Sequence, residues 1–502
     1  MIKMMTIRNP RSYEWEMINL EEVVPKDHFL RIIEEYFDWN FIYEEVKKQY
    51  SIFGRPSIDP VVLFKIHILK FLFHEDSLRR TYETLKYNNL YRWFIGYSIN
   101  EEVPDHSTYS QNYKRKFSKL EKDILEIVFE KVIDLLEEYN CLDLTAVYID
   151  STNTKAYANK KKNHKEIVKI EAREYQKELE LEIALKGLKE EDLTDDEYIE
   201  EVQRIIKCNE EVKVEEITGE KEIIVSNTDK DAGMLYKSDK EKMFGYNTSV
   251  ICDNNNYILT VNTNPSNMHD SVAFYKSYEN LFDHFDFNEI KYFVGDAAYI
   301  TGHICKMIID LGLIPAFPYS RLGYRKNMLK KYEFIYDEEN DIYICPNEKD
   351  LIPCGKINKD GYLSYKADSK DCSTCPFKEK CTKSKSKQIL RHIWEEYKEM
   401  AKDYRHHLDV QEIYKSRPSH IERVFADGKM KYGLTKTYFR SKERVHRELT
   451  LLYACMNLKK FAYHHKIGNS HSSIDKAKTC INFAFEQIKR QISKIYTYLS
   501  TV

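Results

Sequence analysis

The chain has 502 residues, 42% hydrophobic and 32% charged, with only 15 Gly and 12 Pro; this excludes collagen-like and low-complexity chains and fits a helix-rich globular protein of about three structural units. Basic residues number 78 and acidic ones 81, a net charge of −3, so a nucleic-acid partner must be met by a local basic surface. The start, Met1 to Glu16, has no apolar signal-peptide core, and the most apolar stretch, Val61 to Phe73, is broken by Lys65, His67 and Lys70; neither secretion nor a membrane span is expected.

Apolar residues recur at helical spacing over residues 27–37, 60–73, 77–85 and 108–117, separated by turn signals at Gly54-Arg-Pro56, Asn88-Asn89 and Val103-Pro104-Asp105. Residues 55–120 carry 11 Lys/Arg against 7 Asp/Glu, whereas residues 1–54 are net negative, which points any DNA contact to the second half of this helical region. From Leu142 the pattern turns to strands. A strand ends at Asp150; residues 245–253 and 257–263 spell a hairpin through Asn254-Asn-Asn256; a helix spans 270–282, a strand 290–296, a helix 301–311 and a strand 313–317. Strand, hairpin, helix, strand, helix, strand is close to the element order of an RNase-H-like domain, an α/β mixed sheet flanked by helices.

Two insertions interrupt that order. Residues 163–222 hold 20 acids against 10 bases at helical spacing, which predicts a charged helical hairpin or short coiled coil that stands in solvent or meets a partner, and that stays off DNA. Residues 323–390 contain Cys345, Cys354, Cys372, Cys375 and Cys381 among short Tyr-rich strands. The expected division is a helical domain over 1–135, a sheet domain begun by 140–322 and completed by helices over 391–470, the Cys-containing insertion at 323–390 and a helical tail at 471–502.

Three acids attract attention: Asp150 and Asp296 at strand ends, and Glu422 in a late helix. In an RNase-H-like order the first and fourth strands are neighbours, so Asp150 and Asp296 project towards one point, and a late helix can bring a Glu there. Three carboxylates within about 4 Å repel by roughly 4 kcal/mol per pair at an effective dielectric of 20. A hard divalent cation relieves that conflict; oxygen ligands select Mg²⁺ or Mn²⁺, and two such ions suit an in-line phosphoryl displacement. Around Glu422, residues 414–466 carry 13 Lys/Arg against 4 Asp/Glu, cations that suit a polyanionic backbone.

These motifs give the chain a recognisable likeness. Gly54-Arg-Pro56, Pro104-Asp-His-Ser-Thr108, Tyr148-Ile-Asp150-Ser-Thr152, Gly295-Asp296-Ala-Ala-Tyr299 and Ile421-Glu422-Arg-Val-Phe425 resemble those of bacterial insertion-sequence DDE transposases. The resemblance implies that Asp150, Asp296 and Glu422 bind two divalent metals, and that the enzyme cuts transposon ends and joins the freed 3′-hydroxyl to target DNA. A related signature runs Tyr, Arg, Glu, Lys; here Tyr414, Arg417, Glu422 and Lys429 follow it, with four residues rather than three between Arg417 and Glu422. The implied partners are double-stranded DNA, as terminal inverted repeats and target, and a second copy of the chain on paired ends. The setting implied is cytoplasmic and nucleoid-associated.

Candidate DNA contacts are Arg55, Arg79, Arg80 and Arg115 in the helical domain, with Tyr414, Arg417, Lys429 and Lys436 near Glu422. Cys372-x₂-Cys375-x₅-Cys381 with Cys345 upstream offers four thiols for a structural zinc ion, the alternative being reduced free thiols. His269-Asp270 reads as a metal neighbour or as a helix start with Asp270 as its cap, and Asp229 and Asp231 read as a turn. Two other functions fit the same chain, a non-catalytic sequence-specific DNA-binding relative and a metal-dependent DNA nuclease without strand transfer.

Overall fold

A computed structural model describes residues 17–51, 53, 57–171, 175–186, 199, 202–207, 217–236, 242–318 and 328–470. The Gly54-Arg-Pro56 motif with Arg55, much of the acidic insertion and the tail at 471–502 lie outside the described residues. The chain forms two compact units. One takes its described residues from Met1–Cys141, Asp427–Leu434 and Arg447–Val502, the other from Leu142–Ala426 and Thr435–His446.

The first unit is helical, with α1 (Leu20–Val23), α2 (Phe29–Tyr36), α3 (Phe41–Val46), α4 (Pro60–Leu72), α5 (Leu78–Leu85), α6 (Asn89–Ile95), α7 (Ser107–Arg115) and α8 (Ile124–Glu138). Start signals are local. Asp59 caps α4 by accepting from the Val61 amide, with Pro60 in the first turn, and Ser77, Asn88 and Asp123 cap α5, α6 and α8 in the same way. Every residue of α4 is buried, including Lys65, His67 and Lys70. Lys65 is paired with Glu34 at 2.5 Å, while His67 and Lys70 both reach Glu448 at 3.0 Å. That pairing is what lets an apolar helix carry three titratable residues inside the unit.

The second unit is built on a mixed sheet. Its strands are β1 (Ala146–Lys155), β4 (Gly233–Tyr236), β5 (Lys242–Cys252), β6 (Ile258–Pro265), β7 (Tyr292–Val294) and β8 (Ile314–Ala316), with β2 (Asn163–Glu171) and β3 (Ile217–Ser226) forming a separate pair. β1 lies between β5, antiparallel to it with Asp150 opposite Val250, and β7, parallel to it with Tyr148 opposite Val294. β8 continues the parallel side and β6 pairs antiparallel with β5. The buried run Val147-Tyr148-Ile149 explains why β1 is central: a strand covered on both faces reads as continuous apolar sequence. Helices α10 (Asp270–Phe282) and α11 (Gly302–Asp310) follow β6 and β7.

The acidic insertion departs from the expected helical hairpin. Its ends are the antiparallel strands β2 and β3, and α9 (Gln176–Lys186), which with residues 202–207 supplies described helix between them, does not stand free in solvent. Leu179 is fully buried, Glu178 binds His303 and Lys306 at 2.7 Å, and Glu182 accepts from the Trp394 indole at 2.6 Å. Acids placed at helical spacing thus serve as docking groups, a role that charge counting does not distinguish from solvation.

The second insertion is a five-stranded antiparallel sheet in the order β13-β12-β11-β10-β9, from β9 (Ile335–Asp337), β10 (Ile342–Ile344), β11 (Asp350–Cys354), β12 (Tyr362–Ala367) and β13 (Gln388–His392). Phe334, Tyr343, Leu351, Tyr365, Ala367 and Ile389 form its core. Short helices α12 (Ser369–Ser373) and α13 (Lys378–Cys381) precede β13; α14 (Glu395–Tyr404), α15 (Leu408–Ser416), α16 (Ile421–Lys431) and α17 (Lys442–Ser470) follow. Among the described residues no helix is long and apolar enough to cross a membrane.

Candidate active site

Asp150 sits in the middle of β1 and Asp296 two residues beyond the end of β7, on the strand next to it. Asp296 accepts from the Ala298 amide at 2.8 Å and so caps a short 3₁₀ turn. Gly295 precedes it where a Cβ would meet the rings of Phe317 and Tyr299 at 3.0 Å, a contact that fits only if those rings give way by a few tenths of an ångström. Behind the two acids, Tyr299 is fully buried with its hydroxyl 3.4 Å from Ser151 Oγ.

Glu422 reaches this neighbourhood through a break between helices rather than along one helix face. α15 ends at Ser416, Arg417-Pro418-Ser419 forms a 3₁₀ turn, and Glu422 stands in the first turn of α16. The sheet holds the turn in place: the Tyr148 hydroxyl is 2.9 Å from Ser416 Oγ, His420 stacks on the Tyr148 ring at 4.3 Å, and Asn256 donates to the Ser419 carbonyl at 3.1 Å.

The Arg417 guanidinium then joins two of the acids. It donates to Asp150 Oδ2 at 2.5 Å and to Glu422 Oε1 at 2.7 Å, and it is buried while Glu422 is half exposed. Burial pushes the Asp150 carboxyl up, to about 6; Arg417 pulls against this, and the negative charges of Asp296 and Asp270 add to the rise. Tyr414 lies in the field of the same groups and is raised chiefly by burial. Among the described residues Asp150, Asp296 and Glu422 do not all come within 4.8 Å of one another, so the expected spacing of about 4 Å is replaced by a wider group with a cation drawn into it. The donor set suits a hard divalent ion: all carboxylate oxygen, partly desolvated, and already drawing one positive group between two of its members.

Other expected residues fall in several places. His269, not Asp270, caps α10 by accepting from the Ser271 amide; Asp270 accepts from Asn247 at 2.7 Å and acts on Asp150 through its charge. Asp229 is buried, accepting from the Tyr246 hydroxyl at 2.8 Å and the Ser441 amide, and Asp231 accepts from the Lys442 amide, so this loop caps α17 as well as turning. Arg79, Arg80 and Arg115 are exposed on the helical unit, Arg79 against His106 and Arg80 near Glu75 and Glu83. Lys429 and Lys436 are exposed, the former in the helical unit and the latter in the sheet unit.

Cys345, Cys372 and Cys381 pack against the core of the insertion sheet, and Cys381, raised first by burial, also feels Cys372, Cys375 and Cys345. Among the described residues no three of these sulfurs lie within 4.8 Å of one another. A thiolate site would need them to draw closer. Nothing in the sequence announces the Arg417 bridge, because the paired acids flanking Arg417 are separated from it by 267 and 5 residues; Asp270 already stands out there, as a metal neighbour or a helix start.

Comparison with known proteins now adds to this geometry. Residues 18–115 match the family model for a transposase domain, DUF772, and residues 344–462 match the model for the transposase DDE domain. Over those two stretches the chain is similar to DDE transposases. Among solved structures, the piggyBac transposase synaptic complex with hairpin DNA is similar at 9% identity, covering 91% of this chain and 79% of that one, with a TM-score of 0.34. A comparison with curated proteins returns no match.

Proposed function

We propose that this transposase cleaves DNA at its element's ends and joins the freed 3′-hydroxyl to target DNA, with Asp150, Asp296 and Glu422 as its catalytic acids. The observation that carries this reading is that Arg417 joins Asp150 to Glu422 on a turn pinned to the sheet, with Asp296 just beyond the end of the neighbouring strand and acting on Asp150 through its charge. The sheet order β6-β5-β1-β7-β8, with β5 antiparallel and β7 and β8 parallel to β1, supports an RNase-H-like class for the sheet unit.

Asp150, Asp296 and Glu422 would hold Mg²⁺ or Mn²⁺, which neutralises phosphate charge and makes the attacking oxygen a better nucleophile. The acids fix where the scissile phosphate must sit. Lys429, Lys436 and Tyr414 offer backbone contacts that hold the strand in register, and Arg79, Arg80 and Arg115 read the ends. Arg417 balances the charge of Asp150 and Glu422. The working form is a dimer on paired ends, and the thiols of Cys345, Cys372, Cys375 and Cys381 hold a structural zinc ion in the insertion sheet.

The test is a reaction of the full chain with duplex carrying the inverted repeats that flank its gene, supercoiled target and Mg²⁺ or Mn²⁺. End cleavage and joined products are expected, both lost in Asp150→Asn. Cleavage without joining would favour the nuclease, and specific binding with neither product the non-catalytic relative.

A further inference from the structure

We propose that Tyr157 and Tyr438, framed by Lys155, Lys436 and Arg440, form a stacking platform for the bases of single-stranded DNA. The proposal deepens the transposase reading and rests on it for the class of polymer bound. Past Asp150, β1 runs on to Lys155, where residues 435–442 join its end. The Lys155 amide donates to the Thr435 carbonyl at 3.1 Å, the Thr437 amide donates to the Lys155 carbonyl at 2.9 Å, and Lys155 and Lys436 form a parallel bridge.

The two segments brought together, 151–162 and 435–442, contain seven Lys/Arg and no Asp or Glu in a chain whose net charge is −3. Tyr157 is 46% exposed and Tyr438 61%. Their ring centroids are 6.0 Å apart, Lys436 Nζ lies 4.6 Å from the Tyr438 ring and 5.8 Å from Tyr157, and Arg440 Cζ lies 5.2 Å from Tyr157. Among the described residues Lys155, Lys436 and Arg440 have no carboxylate partner. The neighbouring acids Asp229 and Asp231 are turned to the amides of Ser441 and Lys442.

Cations without partners prepare a surface for phosphates, but they do not explain two large rings left in water beside them. Unpaired bases do: each presents a π-face that stacks on an aromatic ring while lysines and arginines follow the backbone. A duplex has its base faces already covered and offers the rings nothing comparable, so the pairing of open rings with open cations selects the single strand. Five strand residues at about 3.3 Å each place Lys155 roughly 17 Å from Asp150. The platform therefore holds the strand flanking the cleaved bond, not the bond itself.

The experiment measures affinity of the full chain, with EDTA present so that nothing is cut, for labelled oligothymidylate and for blunt duplex. Tyr157→Ala and Tyr438→Ala should each weaken oligothymidylate binding by about 5- to 150-fold and leave duplex affinity unchanged, while Tyr157→Phe and Tyr438→Phe should bind like the parent. Lys436→Ala should weaken both probes and flatten their salt dependence. Equal losses on both probes, or no loss on oligothymidylate, would overturn the platform. A parent chain that binds duplex but not oligothymidylate would also overturn it while leaving the transposase reading intact; one that binds neither would sink both.

Discussion

Replacing Asp150 by Asn separates a catalytic acid from a structural one, because the two respond oppositely in metal-free protein. The folded carboxyl titrates near 6 against an ordinary 3.8, a rise of about two units or roughly 3 kcal/mol. The sign follows from proton counts: between about pH 4 and 6 the folded chain holds this proton and the unfolded chain has released it, so stability falls as pH rises through that window. The penalty is fully present at pH 7. It already contains the attraction of Arg417, which is one of the influences on Asp150, so it is a net cost of keeping the charge. Asn keeps the volume and drops the charge. Metal-free Asp150→Asn should therefore melt at or above the parent at pH 7, with an advantage of at most about 3 kcal/mol that disappears below about pH 4. Mg²⁺ should stabilise the parent by mass action and the variant less, and strand cleavage should be lost. Melting curves at several pH values, with and without Mg²⁺ and beside a cleavage assay, measure all three. A variant destabilised without metal at pH 7, or one that still cuts, would refute the assignment.

Arg417→Gln removes the cation joining Asp150 and Glu422, so the metal-free protein should lose about 1–3 kcal/mol and gain more from Mg²⁺ than the parent does, as paired melts would show. In the helical unit His67 and Lys70 hold Glu448 down to about 2 against the burial that pushes it up; its stabilising charge is present above pH 4.5 and lost as pH falls towards 2, and Glu448→Gln should cost about 3–5 kcal/mol at neutral pH, read by denaturant titration. Protein purified without added zinc should carry about one equivalent if the thiols close on a metal, and Cys372→Ser with Cys375→Ser should abolish it; metal-free protein with unchanged melting would reject the site. Lys429→Glu should weaken binding to all DNA sequences, whereas Arg79→Ala and Arg115→Ala should lower discrimination for element ends, compared by competition with random duplex.

The helices of the first unit were legible because their signals are local: Asp59-Pro60, Ser77 and Asn88 announce starts, and Gly96, at φ 77°, ends α6. The sheet strands were legible because of their apolar runs, but their ends were not: β1 reads as stopping at Asp150 and instead runs on through polar residues to Lys155, and β7 and β8 are only three residues each, shorter than their apolar runs suggested. What sequence could not show is pairing over distance. The pattern around Glu178 and Glu182 reads as a solvated helix until His303, Lys306 and Trp394 are found opposite. Arg417 reads as a phosphate contact until Asp150 is found beside it. Charge tells what a residue can do; only the fold supplies the partner.

The bridge from Asp150 to Arg417 spans 267 residues, and that separation sets a clock. At a synthesis rate of about 5–20 residues per second, Asp150 leaves the ribosome roughly 15–50 s before Arg417 exists to meet it. Until then β1 lacks the turn at 417–419 that brings in Glu422, and closing so long a loop is entropically costly. An interrupted chain thus carries Asp150 and even Asp296 without Arg417 or Glu422, so under the proposed assignment a half-made copy has no complete set of acids with which to cut DNA.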